Sequence, residues 1–135
     1  MARTVIADSG FLVALVRRDD EQHPWALELS ARFPAPWRTC EAVLSETFFL
    51  AGAAVRHKVA ETLKRGLLVS DFSLAAEQDA VLAMMDKYTD VPMSLADACL
   101  VRMTEILPDP VILSTDTDFR VYRRHSRQVV PCLLP

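Results

Sequence analysis

The chain has 135 residues, of which 51% are hydrophobic and 24% are charged. This length and balance fit a single globular domain over residues 1–135 and exclude collagen-like, coiled-coil and disordered chains. The formal net charge of -3 argues against a protein that holds nucleic acid through bulk positive charge, so any such binding must use local basic patches or bound cations.

Short strands alternate with helices in the predicted chain order. Strands are expected at residues 4–7, 37–40, 67–69, 111–113 and 128–130, and helices at 11–17, 24–33, 41–51, 55–64, 73–88 and 95–107. Strands separated by helices pair in parallel through right-handed crossovers. The predicted fold is therefore α/β, a three-layer α/β/α sandwich around a central, mostly parallel sheet, with its ligand crevice beyond the carboxyl ends of the strands.

Acidic residues directly follow two of the predicted strands. Asp8 follows the first, where its carboxylate either enters the crevice or caps the next helix. Asp116 and Asp118 follow the strand at 111–113, and the same two interpretations apply to them. The sequence does not separate the two residues, but at least one is expected to face the same crevice as Asp8.

Two predicted helices carry further acids of interest. On the helix at 41–51, Glu46 falls on the apolar side between Ala42 and Leu50, where an ionised carboxylate needs a partner or a cation. Asp97 follows Ser94 by three residues, a spacing that also fits a capping box. These acids come from distant parts of the chain, yet all of them are expected at one edge of the sheet.

A cluster of ionised carboxylates is stable only if its negative charge is compensated. Two carboxylates at about 4 Å repel by about 4 kcal/mol at an effective dielectric constant near 20, and no Lys or Arg lies within the acidic segments. Either several acids have raised pKa values and hold protons, or a divalent cation neutralises them, and we favour the cation. Oxygen ligands without His or Cys suit Mg²⁺, with Mn²⁺ as a substitute.

The cysteines and the N-terminus bear on the cellular compartment. Cys40, Cys99 and Cys132 are widely spaced without a C-x-x-C pair, so we expect reduced packing residues. Apolar runs end short of the ~18 residues of a membrane span, and Asp8 interrupts the stretch that a secretory signal would need. We expect a cytoplasmic protein that does not bind membranes.

Four segments together resemble a known family. They read VIADSGFLVAL at 5–15, TCEAVLSE at 39–46, LADA at 95–98 and ILSTDTDF at 112–119. In this order and spacing they resemble the PIN-domain ribonucleases, in particular the VapC-type toxins of type II toxin–antitoxin systems. The resemblance implies metal-dependent hydrolysis of RNA phosphodiesters, a homodimer, and inhibition by a cognate antitoxin. The site residues that it implies are Asp8, Glu46, Asp97 and Asp116, with Asp118 as an auxiliary ligand. Ser9 and Thr115 are implied either to support these acids or to contact substrate phosphate.

Other residues are candidates for holding partners. Arg120, Arg123 and Arg124 follow the acidic turn and are candidate contacts for RNA phosphates, although such a run is more often a solvated face. The apolar residues 48–50, next to Glu46, either pack in the core or form a groove for a dimer or antitoxin partner.

Two alternative functions stay open. One is a catalytically inactive PIN-type module that binds RNA or protein, which the presence of all four acids disfavours. The other is an aspartyl-phosphate phosphotransfer domain with Asp8 as the acceptor, which would want a Lys near the last strand, and the region 111–118 has none. Binding of Mn²⁺ separates the nuclease from the inactive module.

Overall fold

The computed structural model describes residues 3–135 and places six α-helices and seven strands within them. The strands are β1 (Thr4–Ala7), β2 (Trp37–Thr39), β3 (Leu68–Ser70), β4 (Pro110–Leu113), β5 (Arg123–Arg124), β6 (Gln128–Val129) and β7 (Cys132–Leu133). The helices are α1 (Ser9–Val16), α2 (His23–Arg32), α3 (Glu41–Ala51), α4 (Arg56–Lys64), α5 (Leu74–Lys87) and α6 (Leu95–Ile106), and a 3-10 helix spans Thr117–Arg120.

Five strands form a fully parallel sheet in the order β3-β2-β1-β4-β7. The central strands β1 and β4 are buried and apolar, as expected of strands covered on both faces, and Ala7 at the end of β1 lies opposite Leu113 at the end of β4. The predicted α/β sandwich is confirmed. Because all five strands point the same way, the residues that follow them meet at one carboxyl edge.

Helices cover both faces of this sheet. Right-handed crossovers place α1 to α4 on one face and α5 and α6 on the other. On the first face Phe11 makes edge-to-face contacts with Trp25 and Trp37, at ring distances of 6.0 and 5.5 Å. On the second, Tyr122 makes similar contacts with Tyr88 and Phe119, at 5.1 and 5.5 Å. These two aromatic clusters fix the helices against the sheet.

The strand predicted at residues 128–130 is present as Gln128–Val129, but it does not belong to the central sheet. Gln128–Val129 pairs antiparallel with Arg123–Arg124 in a separate hairpin, and the fifth strand of the sheet is β7. The cause lies in the turn, where His125 and Ser126 adopt positive φ values of 48° and 67° and reverse the chain early. The β-branched Val129 is left 66% exposed in consequence.

Two further sequence expectations concern the cysteines and the membrane. All three cysteines are free thiols, two of them buried in the core, as expected for packing residues. Within residues 3–135 no helix combines the length and the apolarity that a membrane crossing needs.

Candidate active site

Asp8 lies at the centre of the carboxyl edge, between the end of β1 and the start of α1. Its Oδ1 accepts a hydrogen bond from the Ser9 amide at 2.7 Å, which makes it the N-cap of α1. Its Oδ2 accepts a second from the Ser114 hydroxyl at 2.6 Å. The side chain is only 6% exposed. The capping role and the crevice position, which the sequence left as alternatives, are therefore both present.

Ser114 was missed in the sequence analysis. It is fully buried, donates to Asp8, and accepts the Asp116 amide at 2.9 Å, so one hydroxyl connects two of the predicted acids. The sequence could have indicated this role, because Ser114 directly follows β4 and a parallel β1–β4 pair brings it beside Asp8.

Ser9 joins Glu46 to this centre. The Ser9 hydroxyl donates to Glu46 Oε1 at 2.8 Å and lies 3.5 Å from Asp8 Oδ1, which links α1 to α3 across 37 positions of sequence. Ser9 was expected either to support an acid or to contact substrate phosphate. Its hydroxyl donates to a carboxylate, which is the first of these two arrangements.

Glu46 does not lie on a buried side of α3 as expected, although the Ser9 hydroxyl links it to Asp8. Glu46 is exposed, and the buried face of α3 is formed by Val43, Thr47 and Ala51. Thr47 can lie inward because its hydroxyl donates to the Val43 carbonyl at 2.7 Å, which hides its polarity. Phe49 and Leu50 nevertheless point outward and are 83% and 48% exposed.

Asp97 reaches the edge from the first turn of α6. It forms the predicted capping box with Ser94, whose amide donates to Oδ2 at 3.1 Å and whose hydroxyl accepts the Asp97 amide at 3.0 Å. The hydroxyl of the buried Tyr122 lies 3.2 Å from the same oxygen and 2.8 Å from the Pro92 carbonyl. Within residues 3–135 no hydrogen bond reaches Asp97 Oδ1, so that oxygen is available to a ligand.

In the structure Asp116 and Asp118 differ in the groups that they contact. Asp116 caps the 3-10 helix by accepting the Asp118 amide at 2.8 Å, and its charge acts on Asp97. Asp118 lies two residues further on. Burial raises the pKa of the Tyr122 hydroxyl, and the charges of Asp97, Asp118 and Asp116 add to the rise. Asp116 is therefore the member of the pair whose charge affects the pKa of Asp97. Both remain half-buried.

Burial and mutual repulsion raise the pKa values of two acids. Desolvation raises the pKa of Asp8 from 3.8 to about 6, against the lowering effect of the bonds from Ser114 and Ser9, and the charges of Asp97 and Glu46 add to the rise. Desolvation also raises the pKa of Asp97, opposed by its bond from the Ser94 amide, and the charge of Asp116 contributes to the rise. The four acids thus form one electrostatic unit.

No basic side chain compensates this unit. None of the ion pairs formed by residues 3–135 includes any of the five predicted acids. A buried, partly ionised carboxylate without a counter-charge is unusual in a folded protein. The donor set consists only of carboxylate and hydroxyl oxygens, which are the ligands that Mg²⁺ and Mn²⁺ prefer, so the residues fit a divalent cation.

The carboxylates are not yet gathered around one point. In the part of the chain that the structure describes, no three His, Cys, Asp or Glu side chains form a group that could hold a metal ion. Glu46 is exposed, so its side chain has room to rotate, whereas Asp8 is fixed by two short hydrogen bonds and Asp97 is held at Oδ2 by its capping box. Cation binding is therefore expected to move Glu46 toward Asp8.

The three arginines predicted to contact RNA differ in how firmly their side chains are held. Arg123 donates to the carbonyls of Arg120 and Tyr122 at 2.8 and 3.0 Å, and Arg124 donates to the Thr104 carbonyl on α6. Both side chains are half-buried and hold the hairpin in place, whereas Arg120 is exposed. Of the three, Arg120 is the one with a guanidinium free to meet a phosphate.

Thr115, the other predicted substrate contact, packs tightly against α1. A Cβ atom placed on Gly10 would lie 2.0 Å from Thr115 Oγ1, so only glycine at position 10 permits this approach. Thr115 is half-buried and lines a cleft of about 330 Å³ together with Gly10 and Leu50. Thr115 is therefore partly accessible from this cleft, whose lining residues include none of the five predicted acids.

Comparison with known proteins identifies a family and a related solved structure. The family model of the PIN domain matches residues 5–124. The crystal structure of VapC20 from Mycobacterium tuberculosis, a sarcin–ricin loop cleaving toxin, superposes with a TM-score of 0.73 at 22% sequence identity, covering 87% of this chain and 94% of that one. A search of curated protein sequences gave no significant match. At this identity the structural match establishes the shared fold.

Proposed function

The chain belongs to the PIN domain family, and we propose that it is a Mg²⁺-dependent endoribonuclease and the toxin of a toxin–antitoxin pair. The observation that carries the proposal is the coupling of Asp8, Glu46, Asp97 and Asp116 at one sheet edge without a basic partner. Nucleases that hydrolyse phosphodiesters with the help of a bound divalent cation need fixed oxygen ligands whose negative charge no basic side chain compensates.

Each acid has a distinct part in the proposed reaction. Asp8 is the fixed ligand, because Ser9 and Ser114 hold both of its oxygens. Asp97, Glu46 and Asp116 would complete the cation site, with Asp97 Oδ1 the oxygen that needs no hydrogen bond broken. When bound, the cation acts as a Lewis acid that favours ionisation of water and offsets charge on the phosphodiester. Asp118 is an auxiliary ligand in this proposal.

Loading with metal tests this proposal against the inactive binding module. Titration calorimetry with Mn²⁺ is expected to show one or two binding events in the wild-type protein and none in Asp8→Asn. Cleavage of labelled RNA should then require Mg²⁺ or Mn²⁺ and stop with a chelator. Absence of cation binding together with retained RNA affinity would favour the inactive module. The phosphotransfer alternative has little support, because both Asp8 oxygens are hydrogen bonded and the residue is buried.

The exposed apolar side of α3 supports a protein partner. Phe49 and Leu50 are 83% and 48% exposed and lie on the same helix as Glu46. An apolar surface beside an active site is a suitable place for an antitoxin segment or for the second subunit of a homodimer. We propose that α3 contributes to one of these two contacts, and a Phe49→Glu variant that still dimerises and binds antitoxin would contradict this.

Loss of the Tyr122 hydroxyl is expected to impair catalysis without loss of packing. Tyr122→Phe keeps the aromatic cluster but leaves the Ser94 amide as the one donor to Asp97 Oδ2 among residues 3–135, so the cleavage rate should fall about tenfold and the Mn²⁺ affinity should weaken. Tyr88→Phe is the matched control, because the Tyr88 hydroxyl accepts only the Arg123 amide, at 2.8 Å. Equal rates for the two variants at saturating Mn²⁺ and at limiting Mn²⁺ would remove Tyr122 from the site.

Arg120 is expected to contribute to RNA affinity by charge alone. Because its side chain is exposed, Arg120→Ala should leave the free energy of unfolding unchanged and reduce the slope of log Kd against log salt by about 1. Arg65→Ala is the control, since Arg65 is also exposed but lies just before β3, at the opposite edge of the sheet. A slope that is the same in Arg120→Ala and wild type places Arg120 outside the RNA interface.

A further inference from the structure

A second cleft opens at the carboxyl edge, next to the acids but not formed by them. It has a volume of about 330 Å³ and lies where β2 and β3 end and where α3, α5 and α6 begin. Its walls are mainly apolar. The residues that form them are Cys40, Ala42, Phe72, Leu74, Leu95 and Cys99, and Glu41 stands at the exposed rim.

Two leucines of this cleft remain accessible to solvent although the fold could have buried them. Leu74 and Leu95 are the first residues of α5 and α6, each follows a serine cap, and each is 37% exposed. Phe72 is 9% exposed and contributes a wall beneath them. An apolar cleft with a charged rim binds a flat apolar group that carries polar atoms at its edge.

The position of the cleft ties it to the acidic site. Neighbouring strands lie about 4.8 Å apart, so a cleft at the ends of β2 and β3 begins about 5–10 Å from Asp8 at the end of β1. Leu95 and Asp97 share the first turn of α6. A chain whose phosphate lies at the acids would place a neighbouring nucleotide over this cleft.

We propose that this cleft is a subsite for one unpaired nucleobase of the RNA, adjacent to the phosphodiester that is cleaved. The inference rests on the proposed ribonuclease function and adds a recognition element to it. The base inserts between Leu74 and Leu95 and contacts Phe72, since aromatic and apolar side chains bind the faces of unstacked bases. Glu41 can accept a hydrogen bond from an exocyclic amino group, as acidic side chains do from cytosine.

A larger cleft of the structure does not compete for this role. It has a volume of about 560 Å³ and is lined by Arg3, Arg32 and Arg38 beside the amino ends of β1 and β2. That places it on the edge of the sheet opposite the acids. Two of its three arginines are already paired, Arg38 with Asp71 and Arg3 with Asp109 at 3.9 Å.

The test combines a change in the protein with removal of one base from the RNA. An RNA that the wild type cleaves is first selected from a randomised pool and its cut mapped, and abasic nucleotides are then placed singly at each position around the cut. The protein variant is Leu74→Ala/Leu95→Ala, which shortens two partly exposed side chains. The control is Leu82→Ala, a 49% exposed leucine of α5 that does not line the cleft.

A double-mutant cycle on KM and kcat decides the outcome. We expect one abasic position to raise KM about tenfold for wild type and Leu82→Ala but not for Leu74→Ala/Leu95→Ala, whose KM is already raised. Affinity for Mn²⁺ should be equal in all three proteins. If the effects of base removal and of the leucine changes simply add at every position while cleavage persists, the subsite is overturned and the nuclease function stands. If the wild type cleaves no RNA at all in Mg²⁺ or Mn²⁺, both fail.

Discussion

Replacing Asp8 by Asn is expected to abolish RNA cleavage, with a loss of at least about a thousandfold in kcat/KM. Asp8 is the one acid that is both buried and held at both oxygens, so it is the fixed point to which the other ligands move. Asn has the same shape and can keep the bond from the Ser9 amide, but it carries no charge for a cation. The measurement is single-turnover cleavage of labelled RNA at saturating Mg²⁺.

The control for this variant is Asp86→Asn, which makes the same chemical change at an exposed position of α5. It should cleave RNA at the wild-type rate. Circular dichroism and the thermal midpoint should show that both variants are folded. A folded Asp8→Asn protein that cleaves within tenfold of wild type would contradict the assignment of Asp8.

The second large effect concerns stability and pH. Burial raises the pKa of Asp8 from 3.8 to about 6, so without metal the folded state binds its proton more tightly than the unfolded state does. Stability from this group is therefore present at low pH and is lost as the pH rises from about 4 to about 6. The loss is about 3 kcal/mol, and it persists at pH 7.

The difference between two proteins isolates this contribution. The free energy of unfolding of Asp8→Asn minus that of the metal-free wild type should increase by about 2–3 kcal/mol between pH 4 and pH 7. Urea titrations at a series of pH values measure it. Added Mn²⁺ should stabilise the wild type at pH 7, because the cation offsets the buried charge, and should leave Asp8→Asn unchanged. Parallel pH curves for the two proteins would show that Asp8 carries no buried charge.

The elements that position Asp8 could be predicted from the sequence because their signals are local. A buried apolar run followed by a polar residue predicts a strand end, and strands that alternate with helices predict a parallel sheet. Those two inferences suffice to place Asp8 and Asp116 at one edge. The same local reasoning found the strand at residues 128–130 but not its partner, because two positive φ values divert the chain into a hairpin that no hydropathy pattern encodes.

Tertiary contacts account for what the sequence did not reveal. A helical wheel treats Thr47 as polar and Phe49 as apolar, but Thr47 satisfies its hydroxyl within α3 and Phe49 points outward. Glu46 was therefore expected on the buried face of α3, although it lies on the exposed face. The bond from Tyr122 to Asp97 joins residues 25 positions apart through the packing of an aromatic cluster. Nothing in the order of the residues indicates such a contact.

Capping and function are not alternatives in this molecule. Asp8, Asp97 and Asp116 each cap a helix, as the structural interpretation of the sequence predicted, and all three lie at the same sheet edge. A carboxylate has two oxygens, and Asp97 uses only Oδ2 for its cap and for Tyr122. The partial positive charge at helix N-termini also lowers the repulsion among these acids.

Anomalous diffraction from crystals grown or soaked with Mn²⁺ tests the central claim most directly. We expect an anomalous peak within ligand distance of Asp8 and Asp97 Oδ1, with Glu46 and Asp116 turned toward it. The peak should be absent from crystals of Asp8→Asn. A fully occupied Mn²⁺ elsewhere on the molecule, with the four carboxylates in their metal-free positions, would contradict the account.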